Sequence, residues 1–371
     1  MILILVNSDI GKKGNIGFRT GHVINILKKK KIDFIAISRG NNLSDNKNIF
    51  TLGLIRLLCL FINFLRIYFL PKLDSNSINN CIYEYYVIFL YKFLDTRKIK
   101  LVYLWVYSKK LIKFYKEKKI KIITDVSMAP HQVGLKNIGG KIPHYQKQNE
   151  IYTILNSNKL ISPSKFVKSK ILKYYKKKSK VINFASNNFY QKKFTNLKTN
   201  KKVKFCFVGL INERKGIKYL IKAWKNNPIF ENHILYLCGR VFKKQKKLIN
   251  DFNFKNVVLT GFVDPQKYLK KSDIFVFPTM MEGSAKAVFE AMAHSMPVIT
   301  TKEAGSIVEN NKNGIIIKSK STKELNKAME FFIKNKVYIK SYGKRAYIKS
   351  KKYTWKRYST EVVNFLMNDN I

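Results

Sequence analysis

Short β-branched runs alternate with longer amphipathic stretches along almost the whole chain, the periodicity that predicts parallel α/β sheets. In the first half, strands are predicted at 2–7, 33–38, 100–105, 120–125, 159–162 and 180–184, with helices between them. The polar, Lys- and Asn-rich stretch from Ser186 to Lys202 carries little apolar periodicity and reads as a linker. The pattern then restarts. Val203 to Gly209 predicts a new first strand, followed by a helix over 216–226 and strands at 233–238, 256–260, 273–277, 297–300 and 314–317. The chain therefore reads as two tandem doubly wound α/β domains, 1–186 and 203–345, with a closing helical segment over 346–371. Ligands in such sheets sit beyond the carboxyl ends of the strands, which makes the cleft between the domains the expected site.

Composition narrows the classes. The 371 residues suffice for two domains, and 46% hydrophobic with 13% aromatic content excludes wholesale disorder. The net charge is +50, from 72 Lys and Arg against 22 Asp and Glu. Only nine of the basic residues are Arg, whose planar fork would be expected to dominate a surface built to read bases or phosphates. An excess of Lys, Ile and Asn is what an AT-rich coding bias produces; a selected basic surface is the other reading, and both stand. No nucleic-acid recognition motif accompanies the charge, so no nucleic-acid partner is expected.

Cys59, Cys81, Cys206 and Cys238 are far apart and form no Cys-x-x-Cys pair, which fits a reducing compartment. Met1 leads straight into Ile2-Leu3-Ile4-Leu5-Val6, a first buried strand in character and too short an apolar run for a signal peptide. Phe50 to Leu70 is the one segment that invites a bilayer. Its Arg56, Asn63 and Arg66 would share an arc of roughly 80° on a helix, and two Arg near mid-span argue against a transmembrane course. A helix packed into its own domain and a helix lying in an anionic interface both remain open, and Tyr83 to Leu94 shares the ambiguity.

Candidate chemistry concentrates in Phe277-Pro278-Thr279-Met280-Met281-Glu282-Gly283-Ser284-Ala285-Lys286-Ala287-Val288-Phe289-Glu290-Ala291-Met292-Ala293. A strand ends at Pro278, a glycine turn follows, and helical periodicity begins around Ser284. Glu282 then falls in the loop and Glu290 on the helix. A loop feeding a helix N-terminus offers backbone N–H groups and a positive dipole end to a phosphate or a hydroxyl cluster. A carboxylate such as Glu290 can accept both hydroxyls of a ribose diol.

This stretch resembles the signature of retaining family 4 glycosyltransferases of the GT-B fold. Ser295 to Thr301, Ala304-Gly305-Ser306 and Asn313-Gly314 are similar to the family's next strand, glycine turn and closing pair, and the resemblance covers nearly all of 203–365. Gly209-Leu210-Ile211-Asn212-Glu213-Arg214-Lys215-Gly216 resembles the loop whose Arg and Lys neutralise a donor pyrophosphate, with Leu210 where Arg is usual and Arg214 as the substitute. Gly261-Phe262-Val263 looks like the base-binding turn, and Gly239-Arg240 like a second glycine loop. In the first half, Gly14-Asn15-Ile16-Gly17 resembles the glycine-rich donor loop, with Asn15 where a second Gly is usual. His131 resembles the family's cleft histidine, and Glu150 to Ser164 its Glu-containing helix and Ser-Pro-Ser turn. Val181 to Asn187 departs from the family's usual Gly and Asp. Trp355 opens a last helix similar to the one that packs back across the N-terminal domain.

The resemblance implies an α/β GT-B enzyme moving a sugar from a nucleotide-diphosphate donor, UDP- or GDP-linked, to a glycan or lipid-linked acceptor with retention of configuration. It implies no cofactor and no metal, in keeping with the lack of an Asp-x-Asp motif. Glu282, Lys215 and His131 are the implied catalytic residues. Arg214, Lys215, Gly14, Gly17, Val263, Gly283, Ser284, Ala285 and Glu290 are the implied donor contacts. Surface polysaccharide or lipopolysaccharide synthesis in the cytoplasm, with peripheral contact at the inner membrane face, is the corresponding expectation. A GT-B-shaped binding protein without turnover and a basic nucleic-acid binder are the rival readings.

Overall fold

The computed structural model describes residues 1–12, 16–43, 47–53, 55, 61, 62, 64, 75–131, 143–187, 189–192, 202–242 and 255–368. Two parallel sheets organise them. The first contains β1 (Ile2–Ile10), β2 (Phe34–Asn41), β3 (Ile49–Thr51), β4 (Leu101–Leu104), β5 (Lys121–Asp125), β6 (Lys159–Ser162) and β7 (Lys180–Val181), in the order β3-β2-β1-β4-β5-β6-β7. The second contains β8 (Lys204–Val208), β9 (Ile234–Cys238), β10 (Val257–Gly261), β11 (Ile274–Phe277), β12 (Val298–Thr301) and β13 (Gly314–Ile317), in the order β10-β9-β8-β11-β12-β13. Each order reverses beside its first strand, between β1 and β4 and between β8 and β11. Those reversals are the switch points at which loops diverge and leave a crevice.

Both faces of the first sheet are covered. Ile2, Ile4 and Val6 point into one core with Val23, Ile24 and Leu27 of α1 (Ile16–Lys29), while Leu3 and Leu5 point into another with Tyr83 and Val87 of α2 (Ser75–Tyr91) and Leu111 and Ile112 of α3 (Lys109–Glu117). This is why the strands read as continuous apolar runs and not as alternating ones. Helices α4 (His144–Asn156) and α5 (Lys165–Tyr175) complete the first domain. Around the second sheet lie α6 (Ile217–Lys225), α7 (Gln266–Lys271), α8 (Lys286–Ala293), α9 (Thr322–Lys334) and α10 (Val337–Ser350). Asn212, Ser321 and Ser164 cap segments through side-chain oxygens, satisfying N–H groups that a helix start leaves unpaired.

The final helix, α11 (Trp355–Met367), leaves the second domain and packs on α1. Its Trp355 ring stacks on His22 at 5.3 Å and 7° and meets the edge of Phe18. Tyr358 donates to Asp125 Oδ2 at 3.5 Å, and Tyr103 donates to the same oxygen at 2.9 Å. Arg19 faces Asp125 at 3.5 Å, its guanidinium 4.6 Å from the Trp105 ring centroid and 4.2 Å from that of Phe184. Burial holds the Asp125 carboxyl above its usual range, while Arg19 and the two tyrosines pull the other way. A buried charge of this kind is tolerated only when its neighbours satisfy it, so the cluster fixes how α1, β5 and α11 meet.

Several details differ from the sequence expectation. β1 runs on to Ile10, β7 is only two residues long, and β3 takes up Phe50, so Phe50 to Leu70 begins as a strand; most of that segment lies outside the described residues. α8 starts at Lys286 because Ala285, not Ser284, is the capping position. Tyr83 to Leu94 falls largely on α2, whose inner face is packed. No helix among the described residues is long and apolar enough to cross a membrane.

Trp355 is 3% exposed and is the anchor of α11. Truncating a buried aromatic of this size costs about 3–5 kcal/mol. Trp355→Ala is expected to lower the urea midpoint accordingly and to expose α11 to proteolysis; a wild-type midpoint would show that α11 is held elsewhere.

Candidate active site

Two loops meet at the switch point of the second sheet. The first leaves β8 through Gly209 and closes with Gly216, whose φ of 75° suits glycine and whose added Cβ would sit 2.0 Å from the Pro278 carbonyl oxygen. Only a residue without a side chain lets this loop lie against the end of β11. The second loop is sewn to the first: Met280 N donates to the Arg214 carbonyl at 2.8 Å, and Thr279 Oγ1 donates to the same carbonyl at 3.1 Å. Glu282 is pinned in turn by its own N–H, which donates to the Glu303 carbonyl at 2.9 Å.

The result is a convergence of charge. Arg214 Nη1 donates to Glu282 Oε1 at 2.6 Å and to the Met281 carbonyl at 2.8 Å, and Lys215 Nζ donates to the same Glu282 oxygen. Lys215 Nζ also lies 4.8 Å from the Phe277 ring centroid. The Lys215 and Glu282 side chains are only 12% and 14% exposed. Two cations on one carboxylate leave a positive charge in excess in a poorly solvated recess. Burial holds the Lys215 ammonium below its usual pKa, and neighbouring Arg214 acts the same way, while Glu282 opposes both. Among chemical groups, a small polyanion would relieve this arrangement best, because it supplies several acceptor oxygens at once.

The residues after Glu282 form the seam between the domains. A Cβ on Gly283 would lie 1.9 Å from the Ser127 carbonyl oxygen, and Ser164 Oγ donates to the Gly283 carbonyl at 2.7 Å. The loops following β5, β6 and β11 are therefore in direct contact. Ser284 Oγ is buried without a hydrogen-bond partner among the described residues. The Ala285 N–H is already taken by the Ala304 carbonyl at 2.9 Å, so the expected donor contact cannot come from that N–H. Glu290, 13% exposed, pairs with Lys286 at 3.1 Å, and Lys286 Nζ reaches to 5.0 Å from the Phe18 ring of α1.

In the first domain, the His131 backbone N–H donates to Glu150 Oε1 at 3.0 Å, and its Nδ1 lies against Glu150 Oε2. Tyr175 donates to Glu150 Oε1 at 2.7 Å. Glu150, 2% exposed, thus fixes both the backbone and the ring of His131. His131, Asn80, Tyr107, Gln146 and Asn149 line a recess of about 210 Å³. The grip of Glu150 was not readable from the sequence, where the two residues stand 19 apart on different elements.

The remaining candidates are dispersed. A Cβ on Gly17 would sit 1.9 Å from the Asp9 carbonyl oxygen, and Gly17 O accepts from Gly11 N, so Gly17 serves close helix–strand approach. Gly14 lies outside the described residues. Val263 follows β10 at the sheet edge, two strands from β8, and is 38% exposed beside a 91% exposed Phe262. Leu210 is 41% exposed and brings no charge, which leaves Arg214 as the guanidinium of this loop.

Residues 188–354 match the family described as Glycosyl transferases group 1. The match takes in the whole of the second sheet, from β8 to β13. An uncharacterized glycosyltransferase of Methanocaldococcus jannaschii is 28% identical over 213 residues, 56% of this chain and 58% of that protein. The UDP-Gal:alpha-D-GlcNAc-diphosphoundecaprenol alpha-1,3-galactosyltransferase of Escherichia coli is 30% identical over 139 residues, 34% of this chain and 35% of that protein. The chain matches little more than half the length of the first of these curated relatives and about a third of the second. Among solved structures, WaaG, a glycosyltransferase involved in lipopolysaccharide biosynthesis, superposes with a TM-score of 0.74 at 12% identity, over 99% of this chain and 100% of that one. The fold of both domains is thus GT-B, and the residues matched to the group 1 family include Arg214, Lys215 and Glu282.

Replacing Glu282 by Gln removes the one group that holds the Lys215 pKa up. The Lys215 ammonium should then titrate lower than in the wild type, as followed by NMR of the ¹³C-methylated lysine; an unchanged titration would show that Glu282 does not govern it.

Proposed function

We propose that the protein is a glycosyltransferase that moves a sugar from a nucleotide-diphosphate donor to a glycan or lipid-linked acceptor with retention of configuration and without a metal. The observation that carries this reading is the paired Arg214 and Lys215, half-buried at the β8–β11 switch point with a single carboxylate between them. A diphosphate entering the recess would meet both cations and share them with Glu282. The family of the second domain and the UDP-Gal donor named for the Escherichia coli relative support a nucleotide-sugar donor, UDP- or GDP-linked. The lipid-linked acceptor named for that relative, and the lipopolysaccharide role of WaaG, support surface polysaccharide synthesis.

The residues divide the work as follows. Arg214 and Lys215 stabilise charge that grows on the leaving diphosphate as the anomeric C–O bond breaks, which is where preorganised cations lower a barrier most. The acceptor oxygen bonds to the anomeric carbon on the face the diphosphate leaves, and its proton passes to a diphosphate oxygen. Glu282, anchored beside both cations, contacts the transferred sugar. Glu290 holds the ribose hydroxyls once Lys286 yields one carboxylate oxygen. His131, oriented by Glu150, borders the sugar from the first domain. Gly17, Gly283, Ser284 and backbone near Val263 shape the donor cleft.

A panel of UDP- and GDP-sugars, scored first by thermal shift and then by donor hydrolysis and transfer, identifies the donor, and the anomeric coupling constant of the product reads the stereochemistry. Lys215→Ala should cut turnover about 10²–10³-fold, the usual loss of one charge-stabilising donor, with an unchanged circular dichroism spectrum. Wild-type turnover in that variant would overturn the assignment.

A further inference from the structure

The helix α2 carries two apolar faces where its own fold needs one. Its inner face buries Tyr83, Val87 and Tyr91, with the Tyr83 hydroxyl donating to the Ile37 carbonyl at 2.7 Å. Its outer face presents Tyr85, Phe89 and, just past the helix end, Phe93, which are 60%, 55% and 71% exposed. The spacing of four sets these rings in one stripe, and the Phe89 and Phe93 centroids are 5.0 Å apart. Scattered exposed apolar residues are ordinary, but a contiguous aromatic stripe marks a surface that meets something.

The surroundings of the stripe are basic. Lys110 of α3 places Nζ 3.2 Å from the Tyr85 ring centroid, and Lys118 places Nζ 5.0 Å from the Phe114 ring and 5.4 Å from the Tyr91 ring. α3 therefore runs alongside α2, with Lys113 exposed on its outer side. From Lys92 to Lys121 the chain has eleven Lys and Arg against Asp95 and Glu117. Asp95 is itself held by Lys98 at 3.2 Å and Arg97 at 3.6 Å.

We propose that this face docks the protein on an anionic lipid bilayer, the rings of Tyr85, Phe89 and Phe93 entering the headgroup layer and the lysines of α3 meeting lipid phosphates. Aromatic rings favour that layer, long lysine side chains reach the phosphates while their stems stay apolar, and each cation near such a surface adds attraction that salt screens. Charge complementarity selects the bilayer over a protein partner: apart from Asp95 and Glu117, every charged side chain of the stretch is a cation. The placement suits the proposed chemistry, since Asn80 of the same helix lines the recess beside His131. Docking here brings that recess to the headgroup level, where a lipid-linked acceptor presents its sugar.

The test is flotation of the full chain with vesicles of phosphatidylcholine alone or with 30% phosphatidylglycerol, at 20 and 500 mM salt. Binding is expected only to the anionic vesicles and to weaken at least tenfold at high salt. Phe89→Ser/Phe93→Ser and Lys110→Glu/Lys113→Glu should each reduce binding at least tenfold while thermal midpoint and donor hydrolysis stay at wild-type values. Absence of wild-type binding to the anionic vesicles at low salt would overturn the proposal. Undiminished binding of the folded Phe89→Ser/Phe93→Ser variant would overturn it too, by reducing the effect to charge alone. Because the readout needs no substrate, its failure is separable from failure of the proposed transferase activity.

Discussion

Two cations that must share one carboxylate oxygen set the terms for the rest of this structure. Arg214 and Lys215 lie on a tight turn that exists only because Gly216 tolerates a positive φ and a carbonyl at its back. Glu282 reaches them because its loop hydrogen-bonds to the Arg214 carbonyl on one side and to the Glu303 carbonyl on the other. Remove the carboxylate and two like charges face each other in a recess where water screens them weakly. Keep it and the recess is stable but under-neutralised, the condition in which a phosphate-bearing ligand gains most on arrival. The architecture of the second sheet follows the same requirement, since parallel strands splay their loops at the β8–β11 reversal and nowhere else in that sheet.

The same economy of side chains joins the domains. Gly283 touches the Ser127 carbonyl from the opposing domain, Ser164 bonds to Gly283, and Gly305 packs behind the same peptide with a φ of 59°. Backbone meets backbone across the seam, so the cleft width beside Glu282 is set by peptide dimensions and cannot be adjusted by a rotamer change. A second connection is made by α11, which carries the chain back to α1 over the Arg19, Asp125 and Tyr358 cluster. The two contacts adjoin, since Asp125 of the cluster stands two residues before Ser127 of the seam, and Phe18 meets both Trp355 and Lys286.

Much of this was legible in the sequence because buried parallel strands leave apolar runs and because glycines mark the turns between them. Twelve strands were placed close to their observed positions; β3 was missed because three residues are too few to show a period. The charged loop of Arg214 and Lys215 and the Glu282 to Glu290 spacing were legible for the same reason, being local in the chain. What stayed hidden was non-local. The grip of Glu150 on His131, the burial of Asp125 against Arg19, and the claim of Ala304 on the Ala285 N–H each join residues whose separation carries no pattern. Helical periodicity also sets a start around Ser284, whereas the helix begins at Lys286, after the Ala285 N–H has bonded to the Ala304 carbonyl.

The net charge of +50 acquires a more exact meaning when the carboxylates are located. With 22 acids for 72 bases, pairing cannot be general, and the structure places several of its acids directly against cations: Glu282 between two of them, Glu290 against Lys286, Glu309 against Lys349. Lysines away from such sites remain solvated, where water and salt make their mutual repulsion small. Repulsion becomes appreciable where cations are crowded and partly desolvated, as in the Arg214 and Lys215 recess. An anion is drawn to such places with more force than to the average surface. Composition therefore raises the whole molecule's potential, and burial decides where that potential becomes binding energy.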